Sequence, residues 1–166
     1  MSSTFDHDQS FHRDQTFDRD QARFEQIESE LAALDDWEDR YAYIIELGRG
    51  LPTYPEVCKT DHYRLHGCQS QVWLLPLPRT ELDRFEFIAD SDSSIVRGLI
   101  AILRSLFNDR APTEILALDE QKLLAAIGLH THLSPGRRNG LRSLVTRIKA
   151  HAAAMLETSQ LAAANS

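Results

Sequence analysis

The residues best placed to do chemistry sit together in Gly67-Cys68-Gln69-Ser70-Gln71-Val72-Trp73. A polar, turn-prone approach, Lys59-Thr60-Asp61-His62, leads into this stretch, and an apolar run, Val72-Trp73-Leu74-Leu75, leads out of it. A thiol at such an element edge can meet another molecule, and Gly67 lets the backbone come close or take a positive φ. Thiols react as thiolates, and a free cysteine of pKa ~8.5 is only slightly ionised at neutral pH. Cys68 therefore needs a cation, a helix N-terminus or backbone N–H donors nearby. The chain offers His62, Arg64 and His66 beside it in sequence, and Arg137 and Arg138 at the start of the last helix. Gln69 and Gln71, flanking the thiol, can fix the loop by hydrogen bonds. The competing reading is an inert core thiol, since free cysteine is among the most buried residue types. Spacing leaves both open.

Other constellations are weaker. The two cysteines, Cys58 and Cys68, are too few for a disulfide framework, a tetrahedral thiolate site or a protein-held iron–sulfur cluster. His130 and His132, with Cys68 or His66, have a spacing that zinc can use, but H-x-H beside a helix end is more often cap structure, and no metal is expected. Asp90 and Asp92 precede a helix and read as capping carboxylates. No Ser-His-Asp order, phosphate-cradling glycine loop or HExxH is present.

These residues must be positioned by the rest of the chain. At 166 residues, 42% hydrophobic and 26% charged, it is long enough to bury the core of one domain. A net charge of −7 argues against nucleic acid, whose binding is driven by phosphate neutralisation. No apolar run approaches a membrane span, and no signal-peptide core opens the chain, so a cytoplasmic protein is expected. Residues 1–20 are polar with scattered Phe5, Phe11 and Phe17, and Ser10-Phe11-His12-Arg13-Asp14-Gln15 loosely repeats in Thr16-Phe17-Asp18-Arg19-Asp20-Gln21. They read as a disordered tail, with docking by the phenylalanines as the alternative. Helical spacing of Phe24, Ile27, Leu31 and Leu34 predicts a first helix over about 21–34. A second follows, with Asp35 as N-cap, Glu38 closing a capping box, and Trp37, Tyr41, Ile44 and Ile45 inward, ended by Gly48, Gly50 and Pro52. Strands are expected over about 70–75, stopped by Pro76 and Pro78, and over about 84–89, with the residues before Cys68 as a third. A long helix to about Asn108 follows, capped from Asp90-Ser91-Asp92-Ser93, with Ile95, Val96, Leu99, Ile100, Leu103, Leu106 and Phe107 against the sheet. Short helices from Pro112 and Asp119 precede a last one opened by Ser134-Pro135, with Leu141, Leu144, Val145, Ile148 and Met155 inward and residues 156–166 frayed. The order predicts an α+β fold: an αα-hairpin, a small antiparallel sheet of about three strands, and C-terminal helices on one face, in one domain over 21–155.

Several segments resemble the SufE family. They are Asp36-Trp37-Glu38-Asp39-Arg40-Tyr41, Ile44-Ile45-Glu46-Leu47-Gly48-Arg49 with Leu51-Pro52, the Gly67–Trp73 heptad, and Asp90-Ser91-Asp92. Ile95-Val96 with Gly98-Leu99-Ile100-Ala101, and His132-Leu133-Ser134-Pro135 with Arg137 and Asn139-Gly140-Leu141, complete the set. The matches keep their order over roughly 22–152. One departure falls at Tyr63, where the family usually carries asparagine.

The resemblance implies the α+β fold shared with cluster-scaffold proteins of the IscU kind. It implies a sulfur acceptor in which Cys68 takes persulfide sulfur from a pyridoxal-phosphate cysteine desulfurase, SufS-like or CsdA-like, and activates that enzyme. The sulfur passes to a SufBCD-like scaffold for iron–sulfur assembly. Asp92 and Arg137 are implied to lie near the cysteine loop, with Gly67, Gln69 and His66 as supporting contacts. No cofactor of the chain's own is implied, since pyridoxal phosphate belongs to the partner; a homodimer is open. The alternatives are a CsdE-type acceptor for another desulfurase, a cysteine hydrolase or transferase using His66 or His132 as base, and an interaction domain that makes no use of the thiol.

Overall fold

The computed structural model describes residues 23–79 and 83–165; the tail over 1–20 lies outside the described residues. Helix α1 occupies 23–33 and buries Phe24, Ile27 and Leu31. Helix α2 follows over Trp37–Arg49. Its N-cap is Asp36 rather than Asp35: the Asp36 carboxylate accepts the Glu38 N–H at 3.2 Å, so the neighbouring aspartate is left outside the first turn.

The centre of the molecule is α3, Ser94–Phe107. All seven of its predicted apolar residues are buried, and so are Gly98, Ala101, Ile102 and Ser105. An apolar stripe alone would describe a helix lying on a sheet. Burial almost all the way round describes one packed on several sides, and α3 touches α2, the sheet and the last helix. Its approach to α2 depends on two glycines. A Cβ on Gly98 would fall well inside van der Waals contact with the Ile44 carbonyl, and one on Gly48 would lie 2.7 Å from the Gly98 nitrogen. Gly48, which reads in sequence as a terminator, is therefore an interior crossing point, and α2 ends at Gly50 instead.

The sheet has two antiparallel strands, β1 (Val72–Arg79) and β2 (Arg84–Ser91), in register from Val72 opposite Ser91 to Arg79 opposite Arg84. The expected third strand is reduced to one bridge between Arg64 and Trp73, because Gly67 turns the chain soon after it pairs. Pro76 and Pro78, expected to stop β1, lie within it. Leu74 donates to the Tyr63 carbonyl (2.9 Å) and Val72 accepts from Leu65 (2.8 Å), so even-numbered residues of β1 turn their backbone groups away from β2. Pro76 and Pro78 share that parity, and the N–H each lacks is one the β1–β2 ladder does not use. The outer edge of β2 is closed by the chain leaving α3: Phe85 donates to Arg110 O, Asp109 to Phe85 O, and Phe87 to the buried Asn108 side chain.

Helices α4 (Pro112–Ala117), α5 (Glu120–Ala126) and α6 (Leu129–His132) lead to α7, Pro135–Ala164, which Ser134 caps. Leu141, Leu144, Val145, Ile148, Ala152 and Met155 form its buried face. Residues 156–164, expected to fray, are helical, with most side chains from Glu157 onward exposed. The architecture is α+β, as expected, with one strand fewer.

Candidate functional site

The heptad becomes a closed loop. Its base is fastened by the Leu65–Val72 hydrogen bond, and its downstream end by two bonds to Asp92. The Asp92 carboxylate accepts the Gln71 N–H at 3.0 Å, and the Asp92 N–H donates to Gln71 O at 3.3 Å. Asp92 is not the cap of α3; that role falls to Ser93, whose hydroxyl accepts the Val96 N–H. One residue of offset turns a presumed helix cap into the clamp of the thiol loop. Gly67 has φ +86° with no atom within 4 Å of where a Cβ would stand, so it serves backbone conformation rather than close packing.

Cys68 is half-buried and packs against the core. It opens onto a cavity of about 110 Å³ that also touches Gln69, Arg137, Gly140, Val96 and Leu144. The α7 face beneath the loop is pared back to glycine. A Cβ on Gly140 would sit 3.5 Å from the Cys68 sulfur, and one on Gly136 would overlap the Gln69 side chain. Burial pushes the thiol pKa up, and the Ser143 hydroxyl pulls the other way. The thiol is thus poorly ionised at rest, and its sulfur faces a helix surface with little bulk.

Of the cations that sequence offered, Arg137 lines this cavity, whereas Arg138, its neighbour on α7, lines a different groove. His66 is exposed and outside the cavity lining. His62 packs edge-on against Tyr63, and Arg64 forms the bridge to Trp73. Of the apolar neighbours, Val72 reaches the cavity, whereas Trp73 lies under the Lys59 ammonium at 5.3 Å. Lys59 and Arg97 both pair with Asp90, at 3.2 and 3.1 Å, which makes Asp90 an anchor of the strand end. The Tyr63 departure is carried by backbone: its N–H reaches Thr60 O and its carbonyl takes the Leu74 N–H, bonds that any non-proline residue makes. Cys58 lies in a 3-10 turn, Glu56–Cys58, with its carbonyl accepting the Tyr54 hydroxyl at 3.1 Å.

The two histidines of H-x-H diverge. His132 stacks on Trp37 at 3.7 Å and its carbonyl accepts the Tyr41 hydroxyl, while His130 lines the second groove. Among the described residues no three His, Cys, Asp or Glu converge on a metal position. Sequence reasoning passed over Gly136 and Ser143. With Gly140 they stand at helical intervals of four and three, and that run of small side chains on one face was the available signal.

Two outcomes follow from this geometry. Asp92→Ala is expected to speed amide exchange over residues 67–71 by about fivefold, the equivalent of ~1 kcal/mol for one net hydrogen bond. Melting should fall only modestly; unchanged exchange would remove Asp92 from the clamp. Ser143→Ala removes the influence that lowers the Cys68 pKa, so the thiolate becomes scarcer at a given pH. Alkylation of Cys68 should slow a few-fold near neutral pH, with its rate–pH midpoint displaced upward. A midpoint that stays in place would deny the hydroxyl that part.

A family model described as "SufE: Fe-S metabolism associated domain" matches residues 25–152. An uncharacterized SufE-like protein of Rhizobium meliloti (strain 1021) is 45% identical over 130 residues, 77% of this chain and 93% of that protein. A second uncharacterized SufE-like protein, from Rhizobium etli, is 44% identical over 135 residues, 79% of this chain and 90% of its own. The solution structure of a hypothetical protein from Thermus thermophilus superposes with a TM-score of 0.64. The match covers 81% of this chain and 96% of that one at 18% identity, a likeness of fold.

Proposed function

The chain belongs to the SufE family, a domain associated with Fe–S metabolism, and from that premise we propose that it is a sulfur acceptor in which Cys68 carries a persulfide. Its donor is the persulfide of a pyridoxal-phosphate cysteine desulfurase, which the chain also activates, and its recipient is an iron–sulfur assembly scaffold. The chain itself needs no cofactor for this transfer. The observation that carries the reading is the half-buried Cys68 at the mouth of a small cavity, on a loop clamped by Asp92 and preceded by Gly67 at positive φ.

The step is a displacement at sulfur. The Cys68 thiolate attacks the outer sulfur of the donor persulfide, a new S–S bond forms, the old S–S bond breaks, and the electron pair leaves on the donor thiolate. Charge and atoms balance without an external oxidant or reductant. A raised thiol pKa suits a carrier that should not react with every electrophile it meets. Gly67 can absorb the backbone change that turns the sulfur outward, and a partner can favour the outward loop only by contacting it directly. In this reading Arg137 and Gln69, which line the cavity, steady an anionic sulfur, and Gly140 leaves room for it.

Among the described residues no histidine lines the Cys68 cavity, and an imidazole is the base that a cysteine hydrolase would require there. The deciding experiment is intact-mass analysis of the chain after incubation with a cysteine desulfurase and free cysteine. One added sulfur atom, removable by a thiol reductant, is the expected result. An unchanged mass alongside a desulfurase that is turning over would refute the proposal.

A further inference from the structure

A second cavity, a groove of about 690 Å³, runs between α5, α6 and α7. Its floor is apolar and drawn from the core: Leu124, Leu129, Leu133, Leu141 and Val145. Its rim is cationic. Arg138 and Arg142 stand one turn apart on α7, both exposed, and neither forms an ion pair among the described residues. The rim carboxylate, Glu120, is already held by Lys149 at 2.8 Å. An apolar trough edged by two unpaired guanidinium groups suits a segment that combines large apolar side chains with negative charge.

The chain contains such a segment. Residues 1–22 carry Phe5, Phe11 and Phe17, with five aspartates against two arginines, a side-chain charge of 2 − 5 = −3. The apolar residues are spaced among the acidic ones, as a trough with a charged rim requires. The reach is sufficient. Arg23 lines a small cavity with Gly50 and Leu51 at the C-terminal end of α2. The other end of α2 packs Trp37 against His132 of α6, beside the groove. The 13 residues of α2 span about 20 Å. Phe11 lies twelve residue steps before Arg23, and at full extension these cover at most about 40 Å. Tethering also holds the segment at a high effective concentration, so modest contacts are enough to occupy the groove.

We propose that residues 1–22 dock into the α5–α6–α7 groove of their own chain, seating phenylalanine on its leucine floor and aspartate against Arg138 and Arg142. This placement stands independently of the sulfur chemistry, and its test involves no sulfur transfer. Phe11 is replaced, in the full-length chain, by the photo-crosslinker benzoylphenylalanine, and crosslinked peptides are mapped by mass spectrometry. Mixing isotopically light and heavy chains separates crosslinks within one molecule from those between two. The expected result is crosslinking within one chain to residues 120–146, falling several-fold in Arg138→Glu/Arg142→Glu and falling likewise, with both arginines in place, as salt is raised. Crosslinks confined to other regions, to a second copy, or absent altogether would overturn the proposal. So would a yield indifferent to salt. The salt series needs no substitution in the groove and so decides the matter even if the double variant folds poorly.

Discussion

A Cys68→Ser protein is expected to take up no sulfur from a desulfurase, while Cys58→Ser keeps nearly all of the uptake. The two thiols differ in what surrounds them. Cys68 faces a cavity, with a glycine-lined helix across from its sulfur and a glycine at positive φ just before it. Cys58 belongs to a short turn, and its carbonyl accepts the Tyr54 hydroxyl. Serine keeps the shape of the loop but has no thiolate to offer at neutral pH, so the loss measures chemistry rather than folding. The measurement is radiolabelled or mass-detected sulfur on each purified variant, with circular dichroism confirming native structure. Equal losses in the two variants would end the single-acceptor reading.

Gly98→Ala should be the most damaging of the glycine-to-alanine changes in this fold. The new carbon meets the Ile44 carbonyl, which is backbone and cannot rotate away, so α2 and α3 must separate. Overpacking of this kind costs about 3 kcal/mol, and for a chain of this size that lowers the melting temperature by about 6–12 °C. Gly48→Ala, at 2.7 Å from the Gly98 nitrogen, should behave similarly. Gly50→Ala is the control: its Cβ would meet Leu47 O at 3.5 Å, an ordinary contact, and the change should stay within about 0.5 kcal/mol. Comparable melting temperatures for Gly98→Ala and Gly50→Ala would mean that the helix crossing is not as tight as described.

These glycines mark where sequence reasoning reached its limit. Periodicity located every long helix, because a buried stripe repeating at 3.6 residues is a local signal. It assigned α3 to a sheet surface because a stripe does not count its neighbours; the helix is enclosed. Gly48 and Gly98 were legible as glycines but not as a pair, since their meaning lies in contact between two helices far apart in sequence. The same holds at the site. Cys68, Gly67 and Gln69 were legible because they adjoin one another. Ser143 lies 75 residues further on, and nothing local ties it to the thiol. Asp92 was placed near the loop but given the wrong partner. Its neighbour Ser93 makes an equally good cap, and choosing between them needs the Gln71 backbone, which only the fold brings near. Prolines misled for a related reason. Whether Pro76 and Pro78 break a strand depends on which edge their nitrogens face, and that parity is fixed by pairing, not by composition.

The prolines of β1 have one more effect. A strand edge is ordinarily a template: alternating donors and acceptors await any extended chain that can match them, which is how sheets recruit strangers and grow into aggregates. Beyond Leu74, this edge presents carbonyls with no donors between them, because Pro76 and Pro78 occupy the two positions whose nitrogens face outward. An incoming strand would find half of its hydrogen bonds unanswerable. A sheet of two strands is the smallest that a fold can have and has the largest share of its length at an edge. Here one edge is stitched to the chain that follows α3, and the other, paired to residues 63–65 as far as Leu74, offers no donor at Pro76 or Pro78 beyond it.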